Sequence, residues 1–231
     1  IDNEERLRQI VDLRKQKPEL KVLLSIGGWG SGRFSEMAAN DEYRRAFAAD
    51  CDRVVKEFAL DGIDIDWEYP TSSMANISSS PDDTENFTLL MQDIRAAIGN
   101  EKELTLATVA SARYIDFKAI LPSVDFVNIM AYDMASAPKH HSALYPSGHS
   151  GDITSDGAVT AHLKAGVPPS KLVMGMPFYG RGGDGYPSFQ DYNKVGNTDT
   201  QYTEKWDEVA QVPYLADNCL LYTSPSPRDR G

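Results

Sequence analysis

Apolar and polar positions along this chain follow two rhythms. Leu20 to Gly28 (LKVLLSIGG), Ile63 to Tyr69, Leu104 to Val109, Val124 to Tyr132 (VDFVNIMAY) and Leu172 to Tyr179 (LVMGMPFY) are short apolar runs that read as buried strands. Segments with helical spacing separate them. Asp41 to Leu60 repeats Tyr43, Phe47, Cys51, Val54, Val55 and Phe58 on one stripe, and Pro81 to Ile98 does the same with Phe87, Leu90, Met91 and Ile94. Glu4 to Arg14, Phe117 to Leu121 and Gly157 to Ala165 are further helix candidates. Residues 180 to 218 lose both rhythms and read as an insertion, and 72 to 83 read as a polar loop.

Strands that alternate with helices predict right-handed βαβ crossovers and a parallel sheet. The strands end at Trp29, Glu68, Asp133 and Arg181. A doubly wound sheet binds at one switch point and would not arm so many strand ends. A (β/α)8 barrel gathers its functional groups there, so an α/β barrel is the expected architecture.

Composition narrows the chemistry. The 231 residues are 41% hydrophobic and 25% charged, which suits one sizeable domain with a buried core. A net charge of -11 argues against a nucleic-acid partner, because phosphate contacts need a basic surface. No apolar run approaches the roughly 18 residues of a membrane span. Two cysteines, Cys51 and Cys219, make no disulfide framework. His140 and His141 are adjacent and cannot share one face, so they read as polar loop residues rather than metal ligands. No metal and no cofactor is expected. Asn76-Ile77-Ser78 and Asn86-Phe87-Thr88 match the short N-glycosylation pattern.

The run Asp61-Gly62-Ile63-Asp64-Ile65-Asp66-Trp67-Glu68 carries the candidate chemistry. Side chains alternate along a strand, so Asp64, Asp66 and Glu68 share one face and Ile63, Ile65 and Trp67 the other. The acids spread over roughly 13 Å at ~3.3 Å per residue. Like charges this close, turned inward, cannot all ionise, so the cluster retains a proton near neutral pH. A retained proton is what a general acid needs. A hard-cation site is the other reading of such a row. Asp61 is out of phase and is expected to order the turn before the strand.

With their neighbours, these residues resemble glycoside hydrolase family 18. The matching motifs are Ser25-Ile26-Gly27-Gly28-Trp29, Asp61 to Pro70 (DGIDIDWEYP), Met130-Ala131-Tyr132-Asp133 and Met176-Pro177-Phe178-Tyr179-Gly180-Arg181. The resemblance implies strands three to seven of a (β/α)8 barrel and a chitinase-type glycosidase that hydrolyses β-1,4-linked N-acetylglucosamine. This family departs from two-carboxylate glycosidases because the substrate supplies the nucleophile. Carried over, Glu68 is the general acid and base, Asp66 orients the substrate acetamide, Asp64 manages the shared proton with support from Ser25, and Tyr132 holds the acetamido oxygen. Trp29, Tyr69, Met130, Asp133, Tyr179 and Arg181 are assigned to the sugar. Bland alternatives stand beside them: a core aromatic for Trp29, packing for Met130, a structural ion pair for Arg181, and shaping of the strand exit for Tyr69. The implied partner is chitin or a related glycan, and the implied state is a secreted, extracellular monomer. An endo-β-N-acetylglucosaminidase acting on N-glycans and a chitinase-like lectin are the alternatives. A lectin typically lacks one of the acids, and all three are present here.

Two departures from the family pattern shape the expected domain layout. No segment corresponds to the first, second or eighth strands, so residues 1–218 are expected to be a partial catalytic domain that folds poorly and is inactive alone. Residues 219 to 229 (CLLYTSPSPRD) read, codon by codon, as the translation of a sequencing-library adapter, so 219–231 are expected to be a non-native tail.

Overall fold

The structure, a computed structural model, describes residues 2–182, 203–216 and 221–223. The chain forms two compact units, Ile1–Thr108 with Tyr114–Val127, and Val109–Arg113 with Asn128–Gly231. A parallel five-stranded sheet runs β1 (Leu23–Gly27), β2 (Gly62–Asp66), β3 (Glu103–Val109), β4 (Phe126–Met130), β5 (Leu172–Met174), in chain order. Strand order equal to chain order, with helices between, is the βαβ arrangement expected from the alternating pattern.

In the first unit, α1 (Asn3–Asp12) precedes β1, α2 (Phe34–Ala39) and α3 (Asp41–Glu57) follow it, α4 (Asp83–Ile98) follows β2 and α5 (Phe117–Ile120) follows β3. The short α2 escapes the apolar spacing because six residues make fewer than two turns. Asn40 starts α3 by accepting from the Tyr43 amide at 3.0 Å. The outward face of β2 is dry: Ile63 and Ile65 are fully buried, and Trp67 stacks on Phe34 (5.4 Å, 17°) and meets Phe87 edge-on (5.5 Å, 74°).

Two side chains stitch the N-terminal ends of the strands in the same way. The Asp61 carboxylate, just before β2, accepts from the Val22 amide at 2.6 Å and from Arg14, which also caps the Leu20 and Ala59 carbonyls. Asp125, just before β4, accepts from the Leu104 amide at 2.7 Å and from Arg95 at 2.5 Å. Arg95 also donates to the carbonyls of Gly99, Lys102 and Ser123. Asp61 thus has the turn-ordering role that its phase predicted. Gly62 follows because any Cβ there would lie 1.9 Å from the Glu103 carbonyl oxygen.

At the other end of β2, the buried carboxylate of Asp83 gathers three donors: the Ser35 hydroxyl at 2.7 Å, the Thr71 amide at 3.1 Å and the Ser80 amide at 2.8 Å. It ties the loop after β2 to the starts of α2 and α4.

In the second unit, α6 (Ser155–Lys164) precedes β5 and is capped by Thr154. The strand expected over 172 to 179 stops at Met174, and its burial was overstated: Val173 and Met174 are exposed, as are Met176 and Phe178 beyond it. β5 is the last strand in the sheet order, so an apolar run here does not acquire cover on both sides. Within the expected insertion, β6 (Thr203–Asp207) and β7 (Val212–Ala216) pair antiparallel, and β7 pairs antiparallel with β8 (Leu221–Thr223), which falls in the segment read as a tail. His140 holds this antiparallel set through a 3.0 Å contact from Nε2 to Asp207, with its ring against Tyr214. Cys51 is buried, which pushes its thiol up to about 12, and Cys219 lies outside the described residues.

Replacing Asp83 by Ala leaves three donors without an acceptor in a buried place and is expected to cost about 3 kcal/mol of stability. Urea unfolding reads this as a lower midpoint at unchanged slope; a midpoint equal to wild type would mean the loop is not tied there.

Candidate active site

The first unit holds the acids. Strand pairing puts Ser25, Asp64 and Thr105 in one row across β1, β2 and β3. Within that row the Ser25 hydroxyl donates to Asp64 Oδ2 at 2.7 Å, and the Thr105 hydroxyl to Asp64 Oδ1 at 2.6 Å. Ser25 was expected at Asp64. Thr105 was not, because its place beside Asp64 depends on the register of β3 on β2.

Asp66 lies next along the inward face. Burial first, then the charges of Glu68 and Asp64, raise its pKa from 3.8 to about 7. Its Oδ1 is buried without a hydrogen-bond partner. A carboxyl so placed keeps a proton near neutrality, and the titration belongs to the cluster. β1 approaches β2 closely at this point: Gly27, at φ +127°, would put a Cβ 2.0 Å from the Asp66 carbonyl oxygen. The Gly28 amide donates to that oxygen at 2.8 Å. This close approach explains the paired glycines before Trp29.

Glu68 and Tyr69 follow β2, joined by a cis peptide bond. The Tyr69 hydroxyl hydrogen-bonds the Glu68 carboxylate, and burial, then the Glu68 charge, raise the Tyr69 pKa. Trp29 is 61% exposed, which rules out its reading as a core aromatic, and it meets Tyr69 edge-on at 6.3 Å.

The second unit holds the other expected residues. Met130 ends β4 and is partly buried. Tyr132 lies over Gly175, where a Cβ would come within 2.8 Å of its ring, and meets Tyr179 edge-on at 6.3 Å. Asp133, at φ 54°, receives Arg181 Nε at 2.6 Å. The ion pair considered for Arg181 is thus formed, with Asp133, another residue assigned to the sugar. Burial would raise the Asp133 pKa, but His141, Arg181 and Tyr179 outweigh it and hold the carboxyl well below its usual range. The Asp133 amide donates to His141 Nδ1 at 3.1 Å.

His140 and His141 are more than the sequence reading implied. They do lie in a loop, but they are buried there, 1% and 0% exposed. Each ring packs on a tyrosine beside a carboxylate, His140 with Tyr214 and Asp207, His141 with Tyr179 and Asp133. No apolar period marks such residues, because their partners are distant in sequence. Among the described residues no group of acids, cysteines and histidines is arranged to hold a metal ion, and no helix is long and apolar enough to cross a membrane.

Comparison with known proteins places this geometry. The model of "Glycosyl hydrolases family 18" matches residues 1–226. Chitinase A1 of Niallia circulans is 34% identical over 90% of this chain and 37% of its own length. Chitotriosidase-1 of Mus musculus is 37% identical over 78% of this chain and 43% of its own length. The chain thus spans less than half the length of these relatives. Among solved structures, the chitinase domain of the spore coat protein CotE from Clostridium difficile superposes with a TM-score of 0.81 at 36% identity, covering 98% of this chain and 68% of that one. The five parallel strands with their helices are thereby those of a (β/α)8 barrel.

The raised Asp66 carboxyl makes a prediction about stability. Between about pH 4 and pH 7 the native state binds a proton that the unfolded chain has lost, so stability falls as pH rises through that window and levels off above it. Asp66→Asn cannot ionise. Its melting temperature is expected to exceed wild type at pH 8, with the gap closing toward pH 4; equal differences at both pH values would refute the burial of charge at Asp66.

Proposed function

The chain belongs to glycosyl hydrolases family 18, and from that premise we propose that it is the catalytic part of a chitinase, cleaving β-1,4-linked N-acetylglucosamine with retention of configuration. The observation that carries this reading is the row Asp64, Asp66, Glu68 on one face at β2, where burial and the neighbouring carboxylates raise the Asp66 pKa to about 7. The two chitinolytic relatives, named as such, supply the substrate class. They are longer than this chain, so the active molecule is a longer reading frame that contains it. An insoluble polymer cannot enter a cell intact, so the enzyme acts outside it. Residues 219–231 take no part.

The mechanism uses one carboxyl as both acid and base. Glu68 donates its proton to the glycosidic oxygen as the bond from that oxygen to the anomeric carbon breaks. The carbonyl oxygen of the substrate's own 2-acetamido group bonds to that carbon from the opposite face, forming an oxazolinium ion. Asp66 accepts a hydrogen bond from the acetamido N–H and stabilises the positive charge that develops there. Asp64, held by Ser25 and Thr105, fixes the far end of the carboxyl row. Tyr132 hydrogen-bonds the acetamido oxygen and sets its line of attack. Water then adds to the anomeric carbon, Glu68 takes its proton, and the ring reopens to the acetamide. Trp29 offers an exposed flat face to a sugar on the leaving-group side. Tyr69, Met130, Asp133, Tyr179 and Arg181 border the sugar.

In the longer frame, Glu68→Gln is expected to lower kcat on a chromogenic chitobioside by about three orders of magnitude while a chitin oligomer still binds. Unchanged turnover would overturn the mechanism. In the unsubstituted enzyme, kcat/KM should fall as pH rises through about 7, as the row loses its shared proton; a profile flat from pH 6 to 8 would separate that proton from the reaction.

A further inference from the structure

Tyr114, in the loop after β3, has no part in the reaction as assigned. Its backbone is left-handed, with φ 73°. A bulky residue seldom adopts that region, and it persists there only where surroundings fix it. Contacts on two sides hold Tyr114, among others. The Thr84 hydroxyl, in the first turn of α4, donates to its carbonyl oxygen at 2.9 Å. Its ring stacks on Tyr69, centroids 5.3 Å apart and planes 15° from parallel.

Tyr69 is therefore flanked by two rings, with Trp29 edge-on to it at 6.3 Å. Two residues beyond Tyr69, the Thr71 amide is anchored by Asp83 at 3.1 Å. The adjacent residues Asp83 and Thr84 thus secure both partners of the stack, one through the strand exit and the other through Tyr114. The Tyr69 hydroxyl in turn hydrogen-bonds Glu68. An acid works only when its proton points at the leaving oxygen, and small misplacements are costly in rate.

We propose that Tyr114 is a positioning residue: locked in a left-handed conformation by Thr84, its ring fixes Tyr69, and Tyr69 fixes the Glu68 carboxyl. The proposal rests on the reading of Glu68 as general acid and base. A ring that only packed would affect stability and leave the pH profile alone. A ring that touched sugar would affect KM.

Glycine adopts φ 73° without strain, so Tyr114→Gly removes the ring while sparing the backbone. In the longer enzyme, this variant is expected to lose about tenfold in kcat on the chromogenic chitobioside with KM within about twofold. Its pH–rate profile should be displaced by about half a unit or more. Tyr114→Phe, which keeps the ring, should recover most of the loss. Tyr69→Ala combined with Tyr114→Gly should be no worse than Tyr69→Ala alone, because both act on one path. The proposal is overturned if Tyr114→Gly matches wild type in kcat and pH profile, if its effect is confined to KM, or if the two losses multiply. Should Tyr114→Gly fail to fold by circular dichroism, Thr84→Val loosens the same residue and must show the same kcat loss, smaller, with the same displaced profile, or the proposal falls. An inactive wild type, or an active Glu68→Gln, is the separate failure of the acid assignment.

Discussion

Three carboxyl groups on one face of one strand are an electrostatic problem that the surrounding structure must solve. Asp64, Asp66 and Glu68 alternate with Ile63, Ile65 and Trp67, so the apolar side that buries the strand also forces the acids inward together. They are not treated alike. Asp64 receives hydroxyls from both neighbouring strands, Ser25 on one side and Thr105 on the other. Asp66 has a buried oxygen with no partner and a pKa raised to about 7.

Much of this was legible in the sequence because it is periodic. The two-residue rhythm of Asp61 to Glu68 gives the faces of β2 directly, and the three-and-four spacing of Phe87, Leu90, Met91 and Ile94 gives α4. What stayed hidden depends on register or on distant partners. Thr105 reaches Asp64 only because β3 pairs with β2 in one particular register. His141 is buried because Tyr179 and Asp133 enclose it, and nothing in the dipeptide His140-His141 announces either. β5 misled in the opposite direction. The run LVMGMPFY has the composition of a buried strand, but composition reports what a segment could bury and not what covers it.

The two ends of the first unit divide the labour. Around the N-terminal ends of β1 to β4, Asp61 with Arg14 and Asp125 with Arg95 repeat one device, a carboxylate that accepts a neighbouring strand's amide and an arginine that gathers carbonyls. These groups satisfy backbone polar atoms that would otherwise be stranded where strands begin, so they serve cohesion. At the C-terminal ends the polar groups are less complete: Asp66 Oδ1 lacks a partner and Trp29 lies 61% exposed. Parallel barrels separate stability from chemistry in this way, with the upper face free to vary.

That separation raises the question of what keeps an incompletely satisfied face rigid enough for proton transfer. Sheet hydrogen bonds stop at Asp66, so Glu68 and Tyr69 lie beyond the last residue that strand pairing can hold. Beyond one turn bond, from the Ser72 amide to the Tyr69 carbonyl at 3.1 Å, their order comes from side chains. Two adjacent residues at the start of α4 supply it, Asp83 through the Thr71 amide and Thr84 through the Tyr114 carbonyl. A sixteen-residue helix whose Phe87, Leu90, Met91 and Ile94 are buried is a stiff support for both contacts. The cohesion of the helix with the sheet is thereby carried, in two hydrogen bonds and one aromatic stack, to the residue that the sheet itself does not reach.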